Sequence, residues 1–277
     1  DSRRSRYGRC IIITIALYIY VFILGMVLGS FLNVCIYRIP KGESIITPPS
    51  HCTNCNKRLK LTDIIPVFSW LFLKGRCRYC GTKISIKYTI VELLTGVIYV
   101  FALYKFGLSV EFLAAVYIMS ILIAVFFIDA EHKIIPNSLV AAGIIGGAVL
   151  FVYNLFNYVS FYMDRHWWNP LAGMLAGSGI LLLMAFLGRL LFRTDEAMGM
   201  GDVKILAPIG LFLGWRLTIL TLFLSVFAGG IISLILIILR IKKRTDTIPF
   251  GPYIVIAVLV SLFWGQYLLN WYFNIYA

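Results

Sequence analysis

The sequence predicts an all-α polytopic membrane protein with about eight transmembrane helices and one small polar loop domain. Hydrophobic residues make up 61% of the 277 residues and charged residues only 13%, whereas about a quarter of the residues of a typical soluble domain are charged. The net charge is +13. We expect this excess on loops that face the cytoplasm and anionic membrane lipid, and we expect no nucleic-acid binding.

The first predicted helix is the uncharged stretch 10–37. Its 28 residues are enough to cross a hydrocarbon core of about 30 Å at about 1.5 Å per residue. The stretch is too long for the apolar part of a cleavable signal, so no such signal is expected. Gly25 and Gly29 lie four residues apart, which predicts a small-residue face for packing against another helix.

A long polar segment follows at 38–87, with ten Lys or Arg residues but only two acids, Glu43 and Asp63. Because basic loops remain in the cytoplasm, this segment gives the orientation of the chain. We therefore predict three regions: a tail and first helix at 1–37, a cytoplasmic loop domain at 38–88, and a helix bundle at 89–277.

The bundle contains seven further apolar stretches, at 89–106, 110–128, 138–160, 168–192, 203–215, 217–239 and 249–273. The stretch 203–215 is short for a membrane span, about 20 Å as a helix. It also contains Pro208, Gly210 and Gly214, which weaken a helix. We favour eight spans, and seven spans plus a re-entrant segment is the alternative.

Two aspartates lie at the edges of these spans. With eight spans, most of the Lys and Arg residues fall on the cytoplasmic side, and so do Asp129 and Asp202. Carboxylates at a membrane edge are costly and usually functional. The simpler alternative is that Asp129 merely ends a span and that Asp202 is a helix N-cap, a position that favours Asp.

Four cysteines of the polar segment form two CxxC pairs, which are Cys52, Cys55, Cys77 and Cys80. Two such pairs in one short segment predict a structural zinc site with four thiolate ligands. Two disulfides are the alternative, but a cytoplasmic location disfavours them. His51 is adjacent, and we do not expect it to be a ligand.

If the side chains of Asp129 and Asp202 lie close together in the fold, they can hydrolyse a peptide bond. One carboxylate activates water, and the other, when protonated, polarises the carbonyl group. Gly199 and Gly201 flank the second aspartate and permit a close approach of a substrate backbone. A phosphate-binding loop is disfavoured because no Gly-Lys-Ser/Thr sequence follows.

Several motifs occur in a characteristic order along nearly the whole chain. They are Gly29–Val34 followed by Arg38–Pro40, the four cysteines, Val91–Gly96, Ile128–Asp129 with Ile135–Asn137, Glu196–Lys204, and Pro249–Tyr253. In these motifs the chain resembles the type IV prepilin peptidases, which are membrane aspartic proteases of the GxGD class. One departure is Asn137, where many members of that family carry Asp; the two aspartates of the catalytic motifs are retained.

The resemblance implies that Asp129 and Asp202 are catalytic. It also implies a bifunctional enzyme of the bacterial inner membrane, acting on the cytoplasmic face. Such an enzyme cleaves the basic leader of type IV prepilins or of the pseudopilins of type II secretion. It then methylates the new N-terminus with S-adenosylmethionine. The sequence has no Rossmann fingerprint for this methyl donor, so methylation rests on the resemblance.

Three further residues are weaker candidates. Lys204 or Lys133 can pair with the glutamate typical of the fifth position of mature pilins, although interfacial lysines commonly serve only as anchors. Glu92 lies within an apolar stretch, where a bare carboxylate is costly. It is a candidate for the methyl-donor site, and pairing with a cation such as Lys87 is the alternative.

Two other classes of protein stay open at this point. A transporter can use aspartates to carry protons, but it commonly places them near the membrane midplane, whereas Asp129 and Asp202 lie at one edge. A scaffold that binds partners through the cysteine loop is the second alternative.

Overall fold

The structure is a computed structural model, and it describes residues 2–192, 199–243 and 248–276. These residues are mainly helical and, within those ranges, pair as β-structure only in two isolated bridges. The helices are α1 (Ser2–Arg38), α2 (Phe68–Phe72), α3 (Lys87–Phe106), α4 (Val110–His132), α5 (Asn137–Phe156), α6 (Asn169–Phe192), α7 (Met200–Ile238) and α8 (Gly251–Tyr276). Short 3-10 helices occur at Ile39–Lys41, Leu61–Asp63 and Ser160–Tyr162.

Seven helices in the described ranges, α1 and α3 to α8, are long enough and apolar enough to cross a membrane. The prediction of an all-α polytopic membrane protein is therefore confirmed. The chain divides into two compact units, Asp1–Phe112 and Leu113–Ala277. The first unit contains the cysteine loop and the second contains both aspartates.

In the first unit, α1 packs along α3. A Cβ atom added to Gly25 would lie 2.8 Å from the Cα of Gly96, and one added to Gly29 would lie 2.8 Å from the Cα of Glu92. Because the glycines let the two backbones approach this closely, the predicted small-residue face is confirmed. The polar segment connects the cytoplasmic ends that the sequence predicts for these helices.

In the second unit, α7 packs against α5, α6 and α8. It is interrupted at Gly214, whose φ of 71° and ψ of 173° are not helical. The side chain of Asn169 holds this break: its Oδ1 accepts a hydrogen bond from the Trp215 backbone N–H (3.1 Å), and its Nδ2 donates to the carbonyl of Tyr162 (2.8 Å).

The break explains the difference between the eight predicted spans and the seven long helices. The predicted stretches 203–215 and 217–239 both belong to α7, one on each side of Gly214. The segment 200–213 before the break is about 20 Å long as a helix. The sequence therefore identified the short segment, and the structure joins it to the following span in one interrupted helix.

Candidate active site and metal centre

Asp129 lies near the end of α4, and its side chain is buried, with a relative exposure of 5% for the residue. Its Oδ2 atom accepts a hydrogen bond of 3.0 Å from the backbone N–H of Gly251, the first residue of α8. Helix α4 ends at His132, and the next residue, Lys133, adopts a left-handed conformation with φ of 54°. The backbone N–H of Lys133 donates to the carbonyl of Asp129 over 2.9 Å.

Asp202 lies in the first turn of α7. The turn is closed by a hydrogen bond from the Asp202 backbone N–H to the carbonyl of Gly199, over 3.1 Å. This turn packs on the segment that follows Asp129, because Gly201 lies against Ile135 and Lys204 donates a hydrogen bond to Asn137. Two acidic side chains that are 73 positions apart in the sequence thus lie close enough to interact in the second unit.

A side chain at either glycine beside Asp202 would meet a close neighbour. A Cβ atom on Gly199 would lie 2.9 Å from Oδ2 of Asp202, and one on Gly201 would lie 3.1 Å from the Cβ of Ile135. The part of the motif at Glu196, Ala197 and Met198 lies outside the described residues. Side chains at Gly199 or Gly201 would therefore crowd the Asp202 carboxyl group or the turn after α4.

Both candidate lysines, Lys133 and Lys204, are exposed. The Nζ atom of Lys204 donates a hydrogen bond of 3.1 Å to Oδ1 of Asn137, at the start of α5. Because Asn137 is neutral, this bond orients the ammonium group without cancelling its charge.

The four cysteines of the polar segment converge, with all their Sγ atoms within 4.8 Å of one another. The Sγ atoms of Cys52 and Cys80 are 3.8 Å apart. Tetrahedral Zn–S bonds of about 2.3 Å require S–S separations of about 3.8 Å, so this donor set fits zinc. His51 is directed elsewhere, with its Nδ1 3.0 Å from the carbonyl of Pro49.

The two CxxC pairs have the same backbone design. A β-bridge flanks each pair, His51 with Arg58 and Arg76 with Lys83. The fourth residue after the first cysteine of each pair has positive φ, 53° at Asn56 and 71° at Gly81. Each loop therefore turns sharply after its second cysteine, which brings both sulfurs of a pair to one side.

The pKa values of the Cys80 and Cys55 thiols are shifted in opposite directions. Hydrogen bonds from the hydroxyl and backbone N–H groups of Thr82 lower the pKa of Cys80 to about 6. At Cys55, the backbone N–H of Lys57 lowers the pKa, but desolvation and the thiols of Cys80 and Cys52 outweigh it and raise the pKa to about 11. A divalent cation would relieve the repulsion among these thiolates.

The comparisons with known proteins identify the family of this chain. The bacterial Peptidase A24 N-terminal domain matches residues 23–106, and the Type IV leader peptidase family matches residues 116–234. Prepilin leader peptidase/N-methyltransferase from Aeromonas salmonicida (strain A449) is 33% identical over 92% of this chain and 93% of the relative. The protein of the same name from Legionella pneumophila is 32% identical over 92% of this chain and 94% of the relative.

The chain belongs to the type IV leader peptidase family. The Myxococcus xanthus prepilin leader peptidase/N-methyltransferase is also similar, at 35% identity over 84% of this chain and 68% of the relative. No solved structure matches the chain. The membership confirms the resemblance that the ordered motifs indicated, and it makes the chain a bacterial, multi-pass member of a peptidase family.

In this leader peptidase family member, Glu92 is already engaged within the first unit. Its Oε2 atom accepts a hydrogen bond of 2.8 Å from the backbone N–H of Val67, and the Ser30 side chain also bonds to the carboxyl group. The residue is 8% exposed. These bonds tie the polar segment to the α1–α3 pair, and they fit an anchoring role better than contact with a methyl donor.

Sequence reasoning missed two parts of this peptidase. The motif Pro249–Tyr253 was visible, but nothing in it indicated that the Gly251 N–H meets Asp129. The loop at Ser160–Tyr162 and its partner Asn169 carried no recognisable motif, although a buried Asn beside Pro170 is a signal for a constrained helix start. Both omissions concern partners that are distant in sequence.

Proposed function

We propose that this chain is a prepilin leader peptidase and N-methyltransferase of the bacterial inner membrane. Its substrates are type IV prepilins or the related pseudopilins, and its methyl donor is S-adenosylmethionine. The names of the Aeromonas and Legionella relatives, which cover nearly the whole chain, support both activities. The seven membrane-capable helices support the location in a membrane.

Asp129 and Asp202 are the catalytic pair of the peptidase. The observation that carries this proposal is the packing of the first turn of α7, which contains Asp202, on the segment that follows Asp129 in the same unit, with Asp129 almost entirely buried. Two carboxyl groups in this relation share one proton and titrate as a unit. The ionised member removes a proton from water, and the protonated member donates to the scissile carbonyl oxygen.

The site faces the cytoplasm. The ten basic residues of the segment 38–87 support this orientation by the positive-inside rule. A prepilin carries a basic leader, a cleavage point and then an apolar helix. When that helix enters the membrane beside the enzyme, the scissile bond lies at the interface, which is the level expected for both aspartates.

Gly199, Gly201, Lys204 and Lys133 contact the substrate in this proposal. The glycines leave room for an extended substrate backbone beside Asp202. The exposed ammonium group of Lys204, held by the neutral Asn137, is available to the acidic side chain near the start of mature pilin. Lys133 immediately follows the helix that carries Asp129 and is the second basic candidate.

Zinc has a structural role in the loop domain. Cys52, Cys55, Cys77 and Cys80 would hold Zn²⁺, and four thiolates leave no open position for a substrate or water. When bound, the ion supplies cross-linking of the two CxxC loops. The fit of the Cys52–Cys80 separation to a tetrahedral site supports zinc as the metal.

The experiment is co-expression with a prepilin, followed by mass spectrometry of the pilin N-terminus, which reports cleavage and methylation together. We expect wild-type protein to produce cleaved and methylated pilin. Asp129→Asn and Asp202→Asn should each leave the leader attached, while Asp164→Asn, a matched change in the loop before α6, should process normally. Normal cleavage by a folded Asp129→Asn or Asp202→Asn protein would exclude the proposed catalytic pair and favour a transporter or scaffold.

A further inference from the structure

The backbone N–H of Gly251 contacts one member of the aspartate pair. From this contact we infer a division of roles: Asp129 is the ionised general base, Asp202 is the protonated general acid, and Gly251 is the positioning residue. The inference rests on the two-aspartate mechanism proposed above. It adds the identity of the base, which the sequence does not reveal, and a role for the Pro249–Tyr253 motif.

The Gly251 N–H is the free donor in the first turn of α8. Within the described residues 248–276, Tyr253 and Ile254 donate their backbone N–H groups to the carbonyl of Phe250, over 3.0 and 3.2 Å. Pro252 has no N–H group. The one remaining N–H, that of Gly251, points to Oδ2 of Asp129 at 3.0 Å. A hydrogen bond of this kind stabilises a carboxylate more than a neutral carboxyl group.

Helix dipoles do not distinguish the two aspartates. Asp129 lies at the N-terminus of α8, and Asp202 lies in the first turn of α7, so both are near partial positive charges. The direct hydrogen bond does distinguish them, because among the described residues the Asp202 carboxyl group has no comparable donor from the protein. The negative charge that the pair carries is therefore more stable on Asp129.

Glycine is required at position 251 for this contact. A Cβ atom there would lie 2.6 Å from Oδ2, 3.1 Å from Cγ and 3.2 Å from Cβ of Asp129. Three atoms of the aspartate side chain are involved, so a rotation of the carboxyl group alone does not remove the collision. Any larger residue would displace the base or its N–H donor.

The proton balance of the reaction follows from these roles. Asp129 takes a proton from water as the water oxygen bonds to the scissile carbonyl carbon, and Asp202 gives its proton to the carbonyl oxygen. In the second step Asp129 returns its proton to the amide nitrogen, and Asp202 recovers one from a hydroxyl group as the C–N bond breaks. The products are the leader carboxyl group and the new amino terminus, and both aspartates regain their starting states.

The first test is chemical modification of the wild-type protein in detergent at its working pH. An epoxide alkylates an ionised carboxylate, whereas a diazoacetyl ester consumes the proton of a neutral carboxyl group and loses nitrogen. We expect mass mapping to place the epoxide label on Asp129 and the diazoacetyl label on Asp202. The reverse pattern, or both labels on one aspartate, would overturn the assignment.

The second test is the pH profile of kcat/KM for peptide cleavage. The acidic limb reports the base and the basic limb reports the acid. Gly251→Ala places a Cβ atom 2.6 Å from Oδ2 of Asp129, so it should break or lengthen the N–H bond and move the acidic limb up by about one pH unit. Gly230→Ala is the control, because a Cβ atom there has no neighbour within 4 Å.

A shift confined to the basic limb would reverse the roles, and an unchanged profile in active Gly251→Ala protein would remove the role of Gly251. If Gly251→Ala does not fold, the labelling of wild-type protein still decides the assignment. Failure of the proposed function gives a different result, since Asp129→Asn or Asp202→Asn would then cleave normally. Loss of cleavage in both, with reversed labels, refutes the division of roles alone.

Discussion

The bond between Glu92 and Val67 leads to a quantitative prediction about the loop domain. In Glu92→Ala, the Val67 N–H loses its carboxylate partner at 2.8 Å. A hydrogen bond to a charged group contributes about 1.5–3 kcal/mol. Val67 also has φ of 63° and ψ of −53°, which is strained for a β-branched residue. The Glu92 carboxylate is the partner of the Val67 N–H in this strained turn, so its loss favours relaxation there.

A loss of about 2 kcal/mol increases the population of the opened loop roughly 30-fold, at about 1.4 kcal/mol for each factor of ten. The assay is amide hydrogen exchange of the segment 38–87 in purified, zinc-loaded protein. We expect exchange near Val67 to accelerate by about that factor in Glu92→Ala. Glu92→Gln retains an acceptor but not the charge, and a neutral bond contributes about 0.5–1.5 kcal/mol, so its effect should be smaller.

Unchanged exchange in a folded Glu92→Ala protein would refute the anchoring role. The same variants also separate anchoring from methyl-donor binding. If Glu92→Gln protects the loop fully and cleaves prepilin, yet leaves the product unmethylated, the carboxylate acts on the methyl donor. If loop protection and methylation fall together, the anchor is the cause.

Three further predictions concern the metal, the substrate and the break in α7. Cys77→Ser should lower bound zinc to background by elemental analysis, whereas Cys35→Ser, in α1, should retain it; equal zinc in both would exclude the thiolate site. Lys204→Glu should lower kcat/KM roughly tenfold for a pilin with glutamate at position five, and removing that glutamate should abolish the difference. Asn169→Ala leaves the buried carbonyl of Tyr162 and the part-buried N–H of Trp215 without this partner, so its thermal unfolding midpoint should fall by several degrees; an unchanged midpoint would contradict the role of Asn169 at the break.

The sequence was sufficient for the features that depend on composition or short spacing. Apolar runs located the membrane helices because a span must satisfy a length and polarity limit. The two CxxC pairs located the metal ligands because each pair supplies two sulfurs from one turn. Asp129 and Asp202 were identified because carboxyl groups are rare in such a chain.

The features that were not predictable depend on long-range partners. Pro208, Gly210 and Gly214 all weakened the same helix in the sequence, and the break occurs at Gly214, where the Asn169 side chain bonds to the next residue. The predicted span 138–160 ends earlier, at Phe156, and a 3-10 turn follows at Ser160–Tyr162. In the same way, nothing local to Gly251 shows that its partner is a carboxylate 122 positions away.

The anchored break also makes the segment 200–213 a separate helical segment of fixed length. Its distal end is pinned at Gly214 by the side chain of Asn169, and its proximal end carries Asp202. One residue inserted between those points would rotate the carboxyl group by about 100° around the helix axis and advance it by about 1.5 Å. The direction in which the Asp202 carboxyl group points toward Asp129 therefore depends on the number of residues between Asp202 and Gly214. Single insertions or deletions in this segment should be far less tolerated than substitutions.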